Sequence, residues 1–176
     1  MQFNDALQRG QVSTHEALAL FDSLEPVSTE FMHGRWQGAD FPTGHPMDGL
    51  LPGYRWYGKE FRDDDHVDPL LFTAADGTVY PVNPSLMPIG LAPHVPEPLN
   101  RLMGGVFPYL RPFFRTGRSG ARLRAVAHRG KTSAAMIYDK LPIQDIFRRV
   151  DERTVLGVMD YKGMTQPYFF VLRRAA

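Results

Sequence analysis

Gly34-Arg35-Trp36-Gln37-Gly38 follows the first helix-like segment and opens the first strand-like run, residues 35–41. The last strand-like run is Tyr168-Phe169-Phe170-Val171-Leu172-Arg173-Arg174. Side chains alternate along a strand, so Arg173 and Arg174 point to opposite faces and only one of them can stack on Trp36. A guanidinium over an indole contributes ~0.5–2 kcal/mol. A tryptophan at the start of the β-structure can thus be met by a cation from its end.

The runs between these two set the fold class. Ser13-Thr14-His15-Glu16 is a capping box, with Ala17, Leu18, Phe21 and Leu24 at helical spacing behind it and Pro26 closing the helix. After residues 35–41, Pro42-Thr43-Gly44 breaks the strand, and residues 45–51 form a helical turn stopped by Pro52-Gly53. Residues 54–61 make an aromatic second strand, and residues 69–73 and 78–82 a hairpin around Ala75-Asp76-Gly77. Five prolines between residues 83 and 98 preclude regular structure, and a short helix is expected over 98–103. Residues 121–128 and 131–138 form strands joined at Arg129-Gly130. Pro142 at a helix N1 position, with Ile143, Ile146, Phe147 and Val150 at i, i+3, i+4 and i+7, predicts a short amphipathic helix. Residues 154–161 and 167–174 complete about eight strands. The expected fold is mainly β: an antiparallel barrel or a sandwich of about eight strands with short N-terminal and inter-strand helices. Such a barrel encloses side chains or one small ligand. One domain spans residues 1–176: an N-terminal half over 12–82, a Pro-rich lid or connector over 83–120, and C-terminal strands of the same barrel over 121–176.

Composition narrows the function classes. A net charge of +1 gives no general field toward nucleic acid or membrane, and nucleic acid is not expected as a partner. No cysteine is present, so disulfides, thiolate metal sites and a cysteine nucleophile are absent. The N-terminus shows no signal peptide and no apolar run approaches the ~20 residues of a membrane span, so a cytoplasmic protein is expected. Asp63-Asp64-Asp65-His66 with Asp68 lacks the spacing of a calcium loop, and no phosphate loop, His-x-x-x-His or Gly-x-Ser-x-Gly occurs; no metal and no cofactor is expected. The basic segment from Arg111 to Lys131 suits a phosphate backbone, an anionic membrane or a ligand headgroup, or else pairing with the acidic stretch from Glu60 to Asp68 inside the molecule.

The motif Gly34-x-Trp36-x-Gly38 is accompanied by Pro42-Thr43-Gly44-His45-Pro46-Met47-Asp48-Gly49-Leu50-Leu51, Trp56-Tyr57-Gly58-Lys59 and Asp68-Pro69-Leu70-Leu71-Phe72. Together these resemble the GXWXG-motif family. Met136-Ile137-Tyr138-Asp139-Lys140, Pro142-Ile143, Asp145, Phe147, Val150-Asp151, Met159-Asp160-Tyr161-Lys162-Gly163 and Tyr168-Phe169-Phe170 resemble the domain of unknown function usually joined to it. The resemblance implies no particular activity. Trp36 with Arg173 or Arg174 is also similar to lipocalins, which implies a lipocalin-like antiparallel β-barrel of about eight strands, with Trp36 plugging one end and all three residues structural.

An apolar or amphipathic small molecule, such as a fatty acid, isoprenoid or other lipid, is therefore the expected partner. Trp56, Phe72, Tyr138 and Phe170 are candidate walls, with Tyr57 and Phe169 facing in or out by alternation. The small residues of 121–135 leave room if Leu123, Ala125 and Ala127 face inward. His45, Asp139, Asp160 and Lys162 are candidates to orient a polar end. His45, Asp139 and Asp160 are also the candidate catalytic groups if the barrel is a cofactor-independent isomerase or cyclase, because a carboxylate on an apolar face is raised in pKa. His33 and His128 rank lower. A filled barrel that only presents a surface is the third reading. Oligomeric state is not readable.

Overall fold

A computed structural model describes residues 1–86 and 97–176. The expected capping box is formed: Ser13 Oγ accepts from Glu16 N at 3.2 Å, and Glu16 Oε2 accepts from Ser13 N at 2.8 Å. It starts α2 (Thr14–Ser23), which follows α1 (Phe3–Arg9). The two-residue β1 (Glu25–Pro26) and the single turn α3 (Thr29–Met32) lead into β2 (Gly34–Asp40). Then come α4 (Leu50–Gly53), β3 (Trp56–Phe61), β4 (Val67–Thr73) and β5 (Val79–Pro81). Beyond the Pro-rich stretch lie α5 (Glu97–Val106), a 3-10 turn (Phe107–Tyr109) and α6 (Arg111–Phe114). The C-terminal half is β6 (Ala121–His128), β7 (Lys131–Tyr138), β8 (Ile143–Arg149), β9 (Thr154–Tyr161) and β10 (Tyr168–Arg174).

Eight strands close into an antiparallel ring in the order β8-β7-β6-β4-β3-β2-β10-β9, with β9 pairing back onto β8. The first and last long strands are neighbours, Arg174 opposite Trp36 and Phe170 opposite Asp40. The seam between β4 and β6 is a single pair, Val67 with Ala121. β1 extends β8 and β5 extends β4 outside the ring.

One strand of the ring was expected elsewhere. Residues 143–149 are β8 and not a helix, whereas the expected strand at 78–82 is the short β5 outside the ring. The helical spacing at Ile143, Ile146 and Phe147 arises because both faces of β8 are covered. Ile143, Asp145 and Phe147 are the inward set, and Ile146 with Arg148 faces outward beneath α2. A strand buried on both sides loses the two-residue alternation that identifies a half-buried one.

Two apolar layers result. Inside the ring lie Trp36, Phe61, Phe72, Leu123, Met136, Phe147 and Phe170. Outside it, α1 and α2 cover β7 to β10, packing Phe3, Ala17, Leu20 and Phe21 on Ala135, Ile146, Leu156, Val158, Phe169 and Val171. Arg148 is buried in this outer layer, its guanidinium 4.9 Å from the Phe21 ring and donating to His128 O at 3.0 Å. Ala125 and Ala127 do not face the interior; they are exposed. β4 supports β6 only at Ala121, so the far half of β6 runs past the barrel wall.

The glycines around Trp36 make its position possible. Gly38 has a notional Cβ 2.1 Å from the Trp56 ring, so only glycine leaves that indole in place. Gly58, at φ +145°, has a notional Cβ 2.0 Å from Trp36 O. The β3–β4 register shifts on either side of Gly58, which marks a β-bulge. The bulge moves the alternation of β3 by one residue: Trp56, Lys59 and Phe61 are all buried among the interior residues. No helix among the described residues is long and apolar enough to cross a membrane.

A lined cavity with a buried ion pair

At one end of the barrel the interior is not filled. A cavity of about 350 Å³ lies there. Its barrel wall is Trp56, Leu70, Phe72, Tyr138, Met159, Tyr168 and Phe170. Met47, Leu50, Leu51 and Tyr54 close it from the α4 side, and Leu102, Met103, Val106, Phe107, Leu110 and Phe114 from α5 to α6. The described part of the expected lid thus contributes wall residues; residues 87–96 lie outside the described residues. Edge-to-face contacts hold the rings, with Phe72–Phe107 centroids 4.9 Å apart and Trp56–Phe170 5.9 Å apart.

Among the described residues, Lys59 and Asp145 are the charged ones on this wall. Lys59 Nζ lies 2.8 Å from Asp145 Oδ2, with both side chains buried. Nζ also donates to Pro69 O at 3.1 Å. It stands 5.0 Å from the Phe170 ring centroid, 5.7 Å from Trp56 and 5.9 Å from Tyr138. Burial pushes the Asp145 carboxyl up from its ordinary value, against the pull of the Lys59 charge and hydrogen bond. Burial, aided by the Asp145 charge, also pushes the Tyr138 hydroxyl well above its usual value, so it keeps its proton. Among the described residues Asp145 Oδ1 and Trp56 Nε1 are buried without a hydrogen-bond partner.

The sequence reading missed both charged residues. The bulge at Gly58 turned Lys59 inward, and the helical reading of 142–150 hid Asp145. An aspartate between Ile143 and Phe147 was the available signal.

Of the expected site residues, Trp56, Phe72, Tyr138 and Phe170 line the cavity. Phe169 faces the outer layer against Phe21 and Phe41. Asp139, Asp160 and Lys162 are exposed. Asp139 lies 4.0 Å from Arg122, and Asp160 accepts from Gln144 Nε2 at 2.9 Å. Asp160 follows Leu156 and Val158 on the outward face of β9, at the rim, where water reaches it.

His45 is buried behind Tyr168, with ring centroids 5.4 Å apart. Its Nδ1 accepts from Met47 N at 3.0 Å, so Nε2 carries the proton and donates to Gln166 O at 3.2 Å. Asp48 Oδ2 accepts from both Thr43 N and His45 N at 2.9 Å, fixing the turn. Tyr168 in turn donates to Asp40 Oδ1 at 2.9 Å. His45 therefore clamps the 43–48 turn to the start of β10, with both nitrogens engaged.

Burial lowers the His45 pKa from its ordinary 6.5. The unfolded chain then takes up its proton at higher pH than the folded one. This histidine's contribution is complete above about pH 6.5 and is lost as the pH falls through the lower folded-state value. Urea midpoints from pH 8 to 5 should fall more steeply for the parent than for His45→Asn; equal slopes would remove His45 as the cause.

At the opposite end Trp36 is fully buried and donates from Nε1 to Met32 O at 2.7 Å. Arg174, and not Arg173, lies over its ring at 4.3 Å. The acidic and basic stretches meet within the molecule, Arg124 reaching Asp65 at 2.6 Å. Among the described residues no cluster of three or more His, Asp or Glu side chains could hold a metal ion.

A closed eight-stranded barrel with an apolar cavity at one end defines the class of protein. Residues 19–77 match the family described as GXWXG protein, and residues 119–174 match a domain of unknown function, DUF4334. The crystal structure of a protein from Thermomonospora curvata is 36% identical, covering 98% of this chain and 95% of that one with a TM-score of 0.71. The chain belongs to the GXWXG family with its C-terminal domain of unknown function. No curated protein gives a significant match.

Proposed function

We propose that the protein binds an apolar or amphipathic small molecule, such as a lipid or isoprenoid, inside the barrel. The cavity carries this reading. Its volume of about 350 Å³ lies within the range of small-molecule sites, and its wall is aromatic and aliphatic apart from one ion pair. A barrel serving only as a surface would gain by filling that space, since interiors pack densely and voids lose dispersion contacts.

Native mass spectrometry of the purified protein, followed by denaturing extraction, tests the reading. A stoichiometric apolar passenger is the expected result. Met159→Trp, which places an indole in the cavity, should retain the fold by circular dichroism and lose the passenger. A clean mass for the parent, with no thermal shift across fatty acids and isoprenoids, would count against binding.

The buried carboxylate favours a second reading, a cofactor-independent isomerase or cyclase. Asp145 lies on the cavity wall with its pKa raised by burial, as an acid or base working on an apolar substrate requires. Under this reading, Asp145→Asn retains binding and abolishes conversion of a bound passenger. Unchanged conversion in that variant would exclude Asp145 as the acid or base.

A further inference from the structure

We infer that the polar end of the ligand is an uncharged hydroxyl held between Lys59 and Asp145. The inference rests on the binding reading above and adds the chemical class. The other polar atoms on the described wall, the Tyr54, Tyr138 and Tyr168 hydroxyls and Trp56 Nε1, belong to uncharged side chains, so this ion pair is the charged feature a head group meets.

The hydrogen-bond inventory of the pair is incomplete in a specific way. A lysine ammonium has three donors. One goes to Asp145 Oδ2 and one to Pro69 O, which leaves one without a partner among the described residues. Asp145 Oδ1 is buried and accepts from no described residue. The pair therefore presents one spare donor and one spare acceptor beside the cavity. A hydroxyl answers both: its oxygen accepts from Lys59 Nζ and its proton is donated to Asp145 Oδ1. Trp56 Nε1, a second buried donor without an acceptor on the same wall, also favours a ligand oxygen.

Other head groups fit less well, each for a physical reason. A carboxylate would add a second negative charge where the Lys59 charge is already matched by Asp145, in a site with little water to screen it. An ammonium would stand against Lys59 while competing for the same carboxylate. An ether or ketone can accept from Lys59 but leaves Asp145 Oδ1 unpaired, and an unpaired buried acceptor retains its full desolvation cost.

The test compares four probes that share one chain: 1-decanol, decyl methyl ether, decanoic acid and decylamine. Each is titrated calorimetrically into the full-length protein stripped of passenger. The alcohol should bind about tenfold or more tightly than the other three, the usual scale for a buried hydrogen bond made or missed. In K59M/D145L, which removes both charges together, alcohol and ether should bind within about twofold of each other. Equal or tighter binding of the acid, amine or ether by the parent overturns the inference and leaves the binding reading intact. An alcohol preference that survives in the double variant also overturns it. No binding of any probe removes the binding reading along with it.

Discussion

Asp145→Ala should lower the unfolding free energy by about 3–5 kcal/mol, the usual cost of leaving one member of a buried ion pair without its partner. The carboxylate is the only described acid within reach of Lys59, and the ammonium is held inside the barrel by the Gly58 bulge, so it cannot easily move to water. K59M/D145L should recover most of that loss, because two apolar side chains need no compensating charge. The recovery should stop short of complete, since Pro69 O loses its donor. Urea unfolding with an unchanged m-value is the measurement. A single variant as stable as the parent would mean that water reaches Lys59 and that the pair is not buried. A double variant as unstable as the single one would mean that the loss comes from packing.

The same pair shows where sequence reading works and where it stops. Residues 121–128, 131–138 and 154–161 were legible to the residue, because turns bound them and their strand patterns are strong. The meeting of Trp36 with an arginine of the last strand was legible, and four aromatic residues that line the cavity were named. Two local departures hid the polar part of the cavity. β8 is covered by α2 on one side and by the barrel interior on the other, so its apolar positions follow no two-residue period. Read as a helix, that run puts Asp145 on the polar face. The bulge in β3 then breaks alternation between Trp56 and Lys59, and no counting of residues can anticipate a bulge unless Gly58 is taken as its sign. Asp139 and Asp160 were attractive because they end apolar strands, but strand ends form the barrel rim, where carboxylates are solvated. The expected eight strands were correct in number while one member was misassigned, because β5 and β8 exchanged roles.

Trp36→Ala should cost about 3–5 kcal/mol, the range for deleting a large, fully buried aromatic. Loss of packing is only part of the argument. The carbonyls at the end of α3 have no helical partners of their own, and three consecutive ones are served by this cluster. Trp36 Nε1 donates to Met32 O, and Arg174 donates to His33 O at 2.7 Å and to Phe31 O. Arg174 thus joins the last strand to the indole of the first and to the helical turn that covers that end of the barrel. Arg174→Ala should cost about 2–3 kcal/mol, combining charged hydrogen bonds with the cation–π contact. Arg173→Ala, whose side chain is exposed on the other face, should stay within about 0.5 kcal/mol of the parent. The double variant W36A/R174A should be less destabilised than the sum of its parts, because each single change already removes the shared contact. Strict additivity, or an equal cost at Arg173, would mean that Trp36 and Arg174 do not act as one closure.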